Sequence, residues 1–388
     1  MGFFTEAEKQ SLTARSEIPN CGRCKLGRNN RSAPMPICGM GRKRALVLAE
    51  VPVKSRPGFA DGTDELLKGF FSEFGWLLDR DCWIISSVCC EPGGGRVPTD
   101  AEIAACRPKM MKTVRELKPK YILLFGPVAI RSFINGIASF RNPIASWPGY
   151  IIPWMGSWVC PLMHPSSVKS KNNRVPELLM KKQLAAVLLN DNDPPDPLDV
   201  KPKLLMEPRR AVDFIEEFID SDVQVAFDYE TDRLKPDHSE SCIASCAISD
   251  GATTIAYPWV GEAVEATRKF LWSRTPKIGW NIKYEERWTR KVFGRGVRNW
   301  AWDGMQAAHI IDNRTGITGL KFQAFARYGV PPYAETVGAF LKSDSSNKKN
   351  KVMQAKLEDL LHYNGMDALL TWMISRDQQK EMGHEHAR

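Results

Sequence analysis

Asp228 and Glu230, in FDYE, stand two residues apart, and a strand turns such side chains to one face. Two carboxylates placed in this way can share a hard divalent cation. More candidates follow in order. Glu285 stands in GWNIKYEERW, which reads as a strand-to-helix junction. Tyr363 and Asp367, in LHYNGMDALLTW, are four apart and share one face of a helix. The chemistry this set offers is phosphodiester hydrolysis. Two Mg²⁺ or Mn²⁺ ions roughly 3.5–4 Å apart activate a water and stabilise a leaving 3′ oxygen. A tyrosine one helical turn before the last aspartate can orient that water.

A second constellation is built from thiols. Cys21 and Cys24 form a C-x-x-C pair; Cys90 follows after 65 intervening residues, and Cys106 after 15 more. Four thiolates suit Zn²⁺ or a [4Fe–4S] cluster, and the spacing alone does not choose between them. Cys89, beside Cys90 in DCWIISSVCC, reads as a small buried residue on a strand, facing away from the other thiols.

The chain that must position these groups has 388 residues, enough for two ordinary domains. Its formal net charge of +9 favours a polyanionic partner, nucleic acid first. No run of 18 apolar residues suggests a membrane span. The first residues, MGFFTEAEKQ, carry no apolar signal region and no myristoylation pattern, so a cytoplasmic location is expected. NDNDPPDPLDVKPK, with four prolines and four aspartates, reads as a linker over 190–203. It separates a domain over 1–189 from one over 204–388.

In the first half, RALVLAEVP, DCWIISSVCC, KYILLFG and SWVCPLMHP read as strands. DELLKGFFSEFGWL, TDAEIAACRPKMMKTVREL and PVAIRSFI read as helices, the second opened by a Thr99–Glu102 capping box. Such alternation implies a parallel sheet covered by helices on both faces, with functional loops at the strands' carboxyl ends. In the second half, a hairpin around Asp250-Gly251 is followed by helix-rich sequence, hence a mixed sheet with helices. KSDSSNKKNK, over 342–351, reads as a basic loop that can meet phosphates or simply be solvated.

The carboxylate motifs resemble those of the DEDD superfamily of 3′–5′ exonucleases, in its tyrosine-containing branch, as found in proofreading domains of family A DNA polymerases. AFDYETD is similar to its first motif, NIKYE to its second and YNGMD to its third. WDGMQAAHIID and GLKFQAFARYGV resemble the stretch between the second and third, so the likeness runs over 205–378. It implies an RNase H-like fold. It also implies Asp228, Glu230, Glu285 and Asp367 around two divalent cations, Tyr363 on the attacking water, and Asn281 at the substrate. The family's aspartate in the second motif is Glu285 here, a ligand one methylene longer.

The first half resembles the family-4 uracil-DNA glycosylases, α/β domains that hold a [4Fe–4S] cluster. The resemblance covers IPNCGRCKLG, GFADGTDELLKGFFSEFGW, CEPGGGRVPTDAEIAACRP, KPKYILLFGPVAIRSF and MHPSS, within 15–185. It implies that Cys21, Cys24, Cys90 and Cys106 hold the cluster. Base excision needs a flipped base, a stacking ring and a group facing the departing base. By resemblance Glu50 supplies a carboxylate, Phe59 the ring and His164 the contact to a uracil oxygen. Two departures matter. AEVPV replaces the family's G-E-x-P-G, with Ala49 and Val53 in place of glycines. Ser86 stands where the family reads the base with an asparagine, and a hydroxyl lacks the amide's paired donor and acceptor. Trp147, Trp154 and Trp158 can stack on bases or pack the core.

The pairing resembles the front part of some bacteriophage-type replication polymerases, which places the chain in a bacterial host cell and makes a separately encoded polymerase or replisome the expected partner. The expected function is 3′-terminal nucleotide removal from DNA by the second domain, with the first gripping DNA and its uracil excision in doubt. The alternatives are a base-excising glycosylase with a trimming nuclease, and a non-catalytic accessory of a polymerase.

Overall fold

The computed structural model describes residues 21–26, 37–53, 57–60, 62–138, 140–169 and 173–384. The chain divides into two units: Met1–Pro197 with Ala326–Gly329, and Leu198–Phe325 with Val330–Arg388.

The first unit is built on β1 (Ala45–Ala49), α1 (Thr63–Glu73), β2 (Cys82–Ser86), α2 (Asp100–Leu117), β3 (Tyr121–Phe125), α3 (Pro127–Ile137), β4 (Ile152–Trp154), β5 (Ser157–Leu162) and α4 (Val175–Leu188). Its sheet runs β2-β1-β3-β5-β4. All neighbours are parallel except β4 and β5. Alternate residues Ala45, Val47, Leu123 and Phe125 pack with Leu67 and Phe71 of α1 and Leu184 of α4. The intervening Leu46, Leu48, Ile122 and Leu124 are also fully buried, as strands covered on both faces require. Trp147 lies in the core at 1% exposure, and the indole of Trp158 donates to the Asn192 carbonyl at 2.9 Å. Both therefore pack.

One expected strand is shorter than its apolar run. β2 ends at Ser86, opposite Ala49, the last residue of its partner β1; the Ser87 backbone and hydroxyl both still donate to the Ala49 carbonyl, each at 2.8 Å. Cys89 and Cys90 consequently lie in the loop beyond the strand.

The capping box of α2 forms, and it is reinforced. Arg96 donates to Glu102 at 2.9 and 2.7 Å, and the Thr99 N–H donates to the same carboxylate at 2.8 Å. Together, Arg96 foremost, they hold the Glu102 carboxyl down at about 2. A carboxyl depressed in the folded state contributes stability that is complete above its unfolded value of 4.5 and fades as pH falls through about 2. Glu102→Gln is expected to lower the melting temperature near neutral pH, with the gap closing between pH 4.5 and pH 2. Thermal melts across pH check this; a gap independent of pH contradicts it.

The second unit comprises β6 (Lys203–Leu204), α5 (Pro208–Glu217), β7 (Val225–Thr231), β8 (Ile243–Ser249), β9 (Thr254–Pro258), α6 (Glu262–Trp272), β10 (Lys277–Gly279), α7 (Lys283–Phe293), β11 (Trp300–Asp303), α8 (Gly304–Ile311), α9 (Leu320–Tyr328) and α10 (Leu357–Glu381). The sheet order is β11-β10-β7-β8-β9-β6, with β7, β8 and β9 joined antiparallel. The two residues of β6 pair parallel with β9, at the end of the stretch that reads as linker. Val225, Phe227 and Tyr229 face a core filled by Ile215 of α5, Phe270 of α6 and Trp288 of α7. On the opposite face, Ala247 and Ala256 pack with Leu361 and Ala368 of α10. These small residues let the long helix approach the sheet closely. The basic loop over 342–351 is anchored at its end, where the Asn350 N–H donates to the Asp232 carbonyl at 2.7 Å and its side chain to the Thr231 carbonyl at 2.9 Å.

Candidate functional sites

Period-two alternation along β7 decides the second unit's site. Phe227 and Tyr229 point into the core, so Asp228 and Glu230 point at α10. That helix presents Tyr363 and Asp367 one turn apart. Carboxylate oxygens of Asp228, Glu230 and Asp367 all lie within 4.8 Å of one another. Burial first, and then the charge of Asp367, pushes the Asp228 carboxyl well above its usual range. Glu230 rises likewise through burial and the charges of Asp228 and Asp367. Three crowded carboxylates in such surroundings need positive charge to stay ionised. Oxygen donors, close spacing and mutual repulsion fit a hard divalent cation.

Tyr363 is nearly buried, and burial followed by the charge of Asp367 raises its phenol far above the ordinary value. It therefore remains a hydrogen-bond donor. Glu285 is 1% exposed, outside the three-carboxylate group, and its Oε2 has no hydrogen-bond partner among the described residues. Its carboxyl is raised by burial and by Asp228, which it faces. Asn281 sits in the turn before α7 with φ of 69°, and its N–H donates to Asp303 at 3.0 Å. Asp303 also accepts from Ile282 at 3.1 Å and caps α8 through Met305 at 3.0 Å. One carboxylate thus fixes the strand-to-helix junction that carries Asn281 and Glu285.

Three further residues at this site carry no sequence signal. Asn364 donates to Asp228 Oδ2 at 2.7 Å and accepts from the Ser245 hydroxyl at 2.8 Å. It braces the first carboxylate from α10. Lys321 of α9 pairs with Asp367, and the Tyr333 hydroxyl donates to the same carboxylate. The Lys321 ammonium also lies 4.4 Å from the centre of the Tyr363 ring.

In the first unit, the carboxyl ends of the parallel strands gather the other candidates. Glu50 follows β1, Ser86 ends β2, Gly126 follows β3 and His164 lies just beyond β5. Glu50 Oε1 accepts from the Val128 N–H, at the start of α3, at 3.0 Å. Gly126 has φ of 88°, and a Cβ there would stand 2.5 Å from Glu50 Oε1 and 2.9 Å from the His164 ring. Only glycine admits both side chains. Phe59 packs edge-on to His164, with centroids 5.9 Å apart. His164 Nδ1 accepts from the Ser166 N–H at 3.2 Å, which places the proton of a neutral ring on Nε2. Ser86 is 5% exposed, and its hydroxyl has no partner among the described residues.

The thiols converge from separate segments. Cys24, Cys90 and Cys106 join Leu26, Val88, Ile103 and Val128 in one apolar cluster, and Cys90 lies within electrostatic reach of Cys21 and Cys24. Sulfur donors gathered from separate segments suit a thiophilic centre. The expectation for Cys89 is corrected. Beyond the end of β2 this half-buried thiol comes near enough to Cys106 for the two to interact. That interaction first, and then the charge of Lys109, lower the Cys89 thiol, while the same interaction raises that of Cys106.

Comparison with known proteins matches the two halves of the chain to two families. Residues 43–188 match the family model of the uracil DNA glycosylase superfamily, and residues 207–382 match that of the 3′–5′ exonuclease domain. The chain thus joins a uracil DNA glycosylase superfamily domain to a 3′–5′ exonuclease domain. Among curated proteins, it is similar to the type-4 uracil-DNA glycosylase of Saccharolobus solfataricus, 27% identical over 115 residues, covering 28% of this chain and 52% of the relative. The Pyrobaculum aerophilum enzyme of that name is 28% identical over 122 residues, covering 30% and 61%. The chain therefore spans between half and two thirds of the length of these relatives. Similar solved structures include Brucella melitensis NrnC bound to pGG, 18% identical with a TM-score of 0.34, covering 44% of this chain and 76% of that one. Escherichia coli RNase D, an exoribonuclease involved in structured RNA processing, is 13% identical with a TM-score of 0.33, covering 48% and 46%.

Proposed function

We propose that the protein is a DNA-processing nuclease that removes nucleotides from 3′ ends, with a glycosylase-like domain that grips DNA. The carrying observation is the convergence of Asp228, Glu230 and Asp367 within 4.8 Å on facing elements, beside Tyr363. Asp228, Glu230 and Asp367 would hold two divalent cations, with Glu285 facing them through Asp228. Bound there, Mg²⁺ or Mn²⁺ supplies charge stabilisation to the attacking and leaving oxygens. The protein's own work is positional. Asn364 fixes the Asp228 carboxylate, and the protonated Tyr363 phenol holds the attacking water in line. Lys321 balances the charge of Asp367 and lies close enough to meet a substrate phosphate. Asn281, pinned through Asp303, lines the approach of the terminal nucleotide.

The test follows nucleotide release from 3′-labelled DNA with Mg²⁺, with Mn²⁺ and with chelator. Release that neither ion supports sinks the proposal. Asn364→Ala is expected to weaken Mn²⁺ binding by about 10–100-fold, as loss of a group orienting a ligand does. Titration of Mn²⁺ by its paramagnetic resonance signal checks this; unchanged affinity contradicts it.

In the first domain, Cys21, Cys24, Cys90 and Cys106 would hold a [4Fe–4S] cluster, which ties the loop after β2 and the helix α2 to the amino-terminal hook. Glu50 and His164 keep the arrangement of a base-excision pocket. Without an amide at Ser86, the pocket lacks its reader, so uracil excision is weak or absent. A DNA polymerase supplied as a separate chain remains the partner this reading implies.

A further inference from the structure

The first unit holds a cavity of about 550 Å³ that none of Glu50, Phe59, Ser86 or His164 lines. Its size falls in the range of small-molecule sites, ~300–1,000 Å³. Helices α2 and α3 and the loop after α3 wall it. Among the described residues that line it, three arginines, Arg107, Arg131 and Arg141, meet one carboxylate, Asp100. Asp100 is already paired with Arg131, at 2.7 Å. The guanidinium charges of Arg107 and Arg141 are therefore in excess.

The wall is shaped around Arg107. Its Nε–H donates to the Ser132 carbonyl at 2.8 Å, which fixes the plane of the guanidinium. Gly136 lies inside α3, a place where glycine is disfavoured. A Cβ there would stand 3.1 Å from Arg107 Cδ and 3.2 Å from Met111 Sδ, so the glycine makes room for the arginine's stem. An aromatic surface completes the site. Phe140 is half-buried and packs edge-on against Trp147, with centroids 5.3 Å apart. Guanidinium groups match phosphate oxygens in pairs, and a ring beside them can take a base. The volume exceeds what a simple inorganic anion fills.

We propose that this cavity binds a nucleoside phosphate, with Arg107, Arg131 and Arg141 on the phosphate and Phe140 against the base. The inference rests on the reading that the protein acts on DNA. The occupant is either a free mononucleotide or one residue of a single strand.

The experiment uses the full chain with chelator, so that DNA stays intact. Binding of a fluorescein-labelled oligothymidylate and of thymidine 5′-monophosphate is measured for the wild type, Arg141→Gln and Arg107→Gln. Arg141 is exposed, and thermal melts verify that each variant is folded. Arg141→Gln is expected to weaken the occupant about tenfold and to lower the salt slope of strand binding by about one phosphate. Mononucleotide binding that both variants weaken identifies a free nucleotide; weakening confined to the oligonucleotide identifies a strand. Wild-type affinities and salt slopes in both variants overturn the proposal. Release from 3′-labelled DNA, with Mg²⁺ restored, is followed in the same preparations. Unaltered binding in the variants beside normal release overturns this inference alone. A wild-type chain that neither binds nor releases overturns the proposed function with it.

Discussion

Asp228→Ala is expected to slow nucleotide release from 3′-labelled DNA by roughly 10²–10³-fold while strand binding stays near that of the wild type. The size of the effect follows from where Asp228 sits. It is one of three carboxylates within 4.8 Å, and it alone receives the Asn364 amide. Removing it takes away a ligand and the shorter of the two bonds the Asn364 amide donates, leaving only the Asp228 carbonyl as acceptor. Strand affinity comes mainly from phosphate contacts, which a metal-site carboxylate does not make. Tyr363→Phe is the informative contrast. It keeps every carboxylate and deletes only the hydroxyl that would orient water, so release falls less and Mn²⁺ affinity holds. Equal release by wild type and Asp228→Ala would remove the hydrolytic role from this cluster and return the domain to a DNA-binding accessory.

The parts of this site that were legible in the sequence are those set by local periodicity. Asp228 and Glu230 share a face because strands repeat every two residues, and Tyr363 and Asp367 because a helix repeats every 3.6. Lys321 and Tyr333 reach Asp367 across 46 and 34 residues, and no spacing rule announces such a meeting. Asn364 lay in plain view between Tyr363 and Asp367, yet its role depends on Asp228, 136 residues away. The same limit explains the loop after β2. An apolar run through Cys90 reads as strand, but the partner β1 stops at Ala49, opposite Ser86, and beyond that pair the chain turns and brings Cys89 near Cys106. The end of a partner strand 37 residues away set the limit, not propensity. The cavity of arginines was invisible for a related reason: Arg107, Arg131 and Arg141 come from two helices and a loop, and in sequence they are three scattered charges.

Ser86→Asn is expected to raise uracil release from single-stranded DNA by on the order of 10²-fold, with cytosine-containing DNA unaffected. The surrounding groups are already in place. Glu50 is held by the Val128 N–H, His164 carries its Nδ1 on Ser166, and Phe59 packs beside the imidazole. What is missing is a side chain able to offer uracil a donor and an acceptor together. Ser86 offers one hydroxyl at the end of β2, and that hydroxyl is buried without a partner among the described residues. Such a group costs stability rather than adding to it. Ser86→Ala should accordingly leave the melting temperature unchanged or slightly raised, and should not excise uracil. The pair of variants separates two explanations of a silent pocket. If a folded Ser86→Asn chain releases no more uracil than the wild type, the amide is not the missing element. The next candidates are then Ala49 and Val53, which stand where the resembling glycosylases have glycines; Ala49 is fully buried at the end of β1.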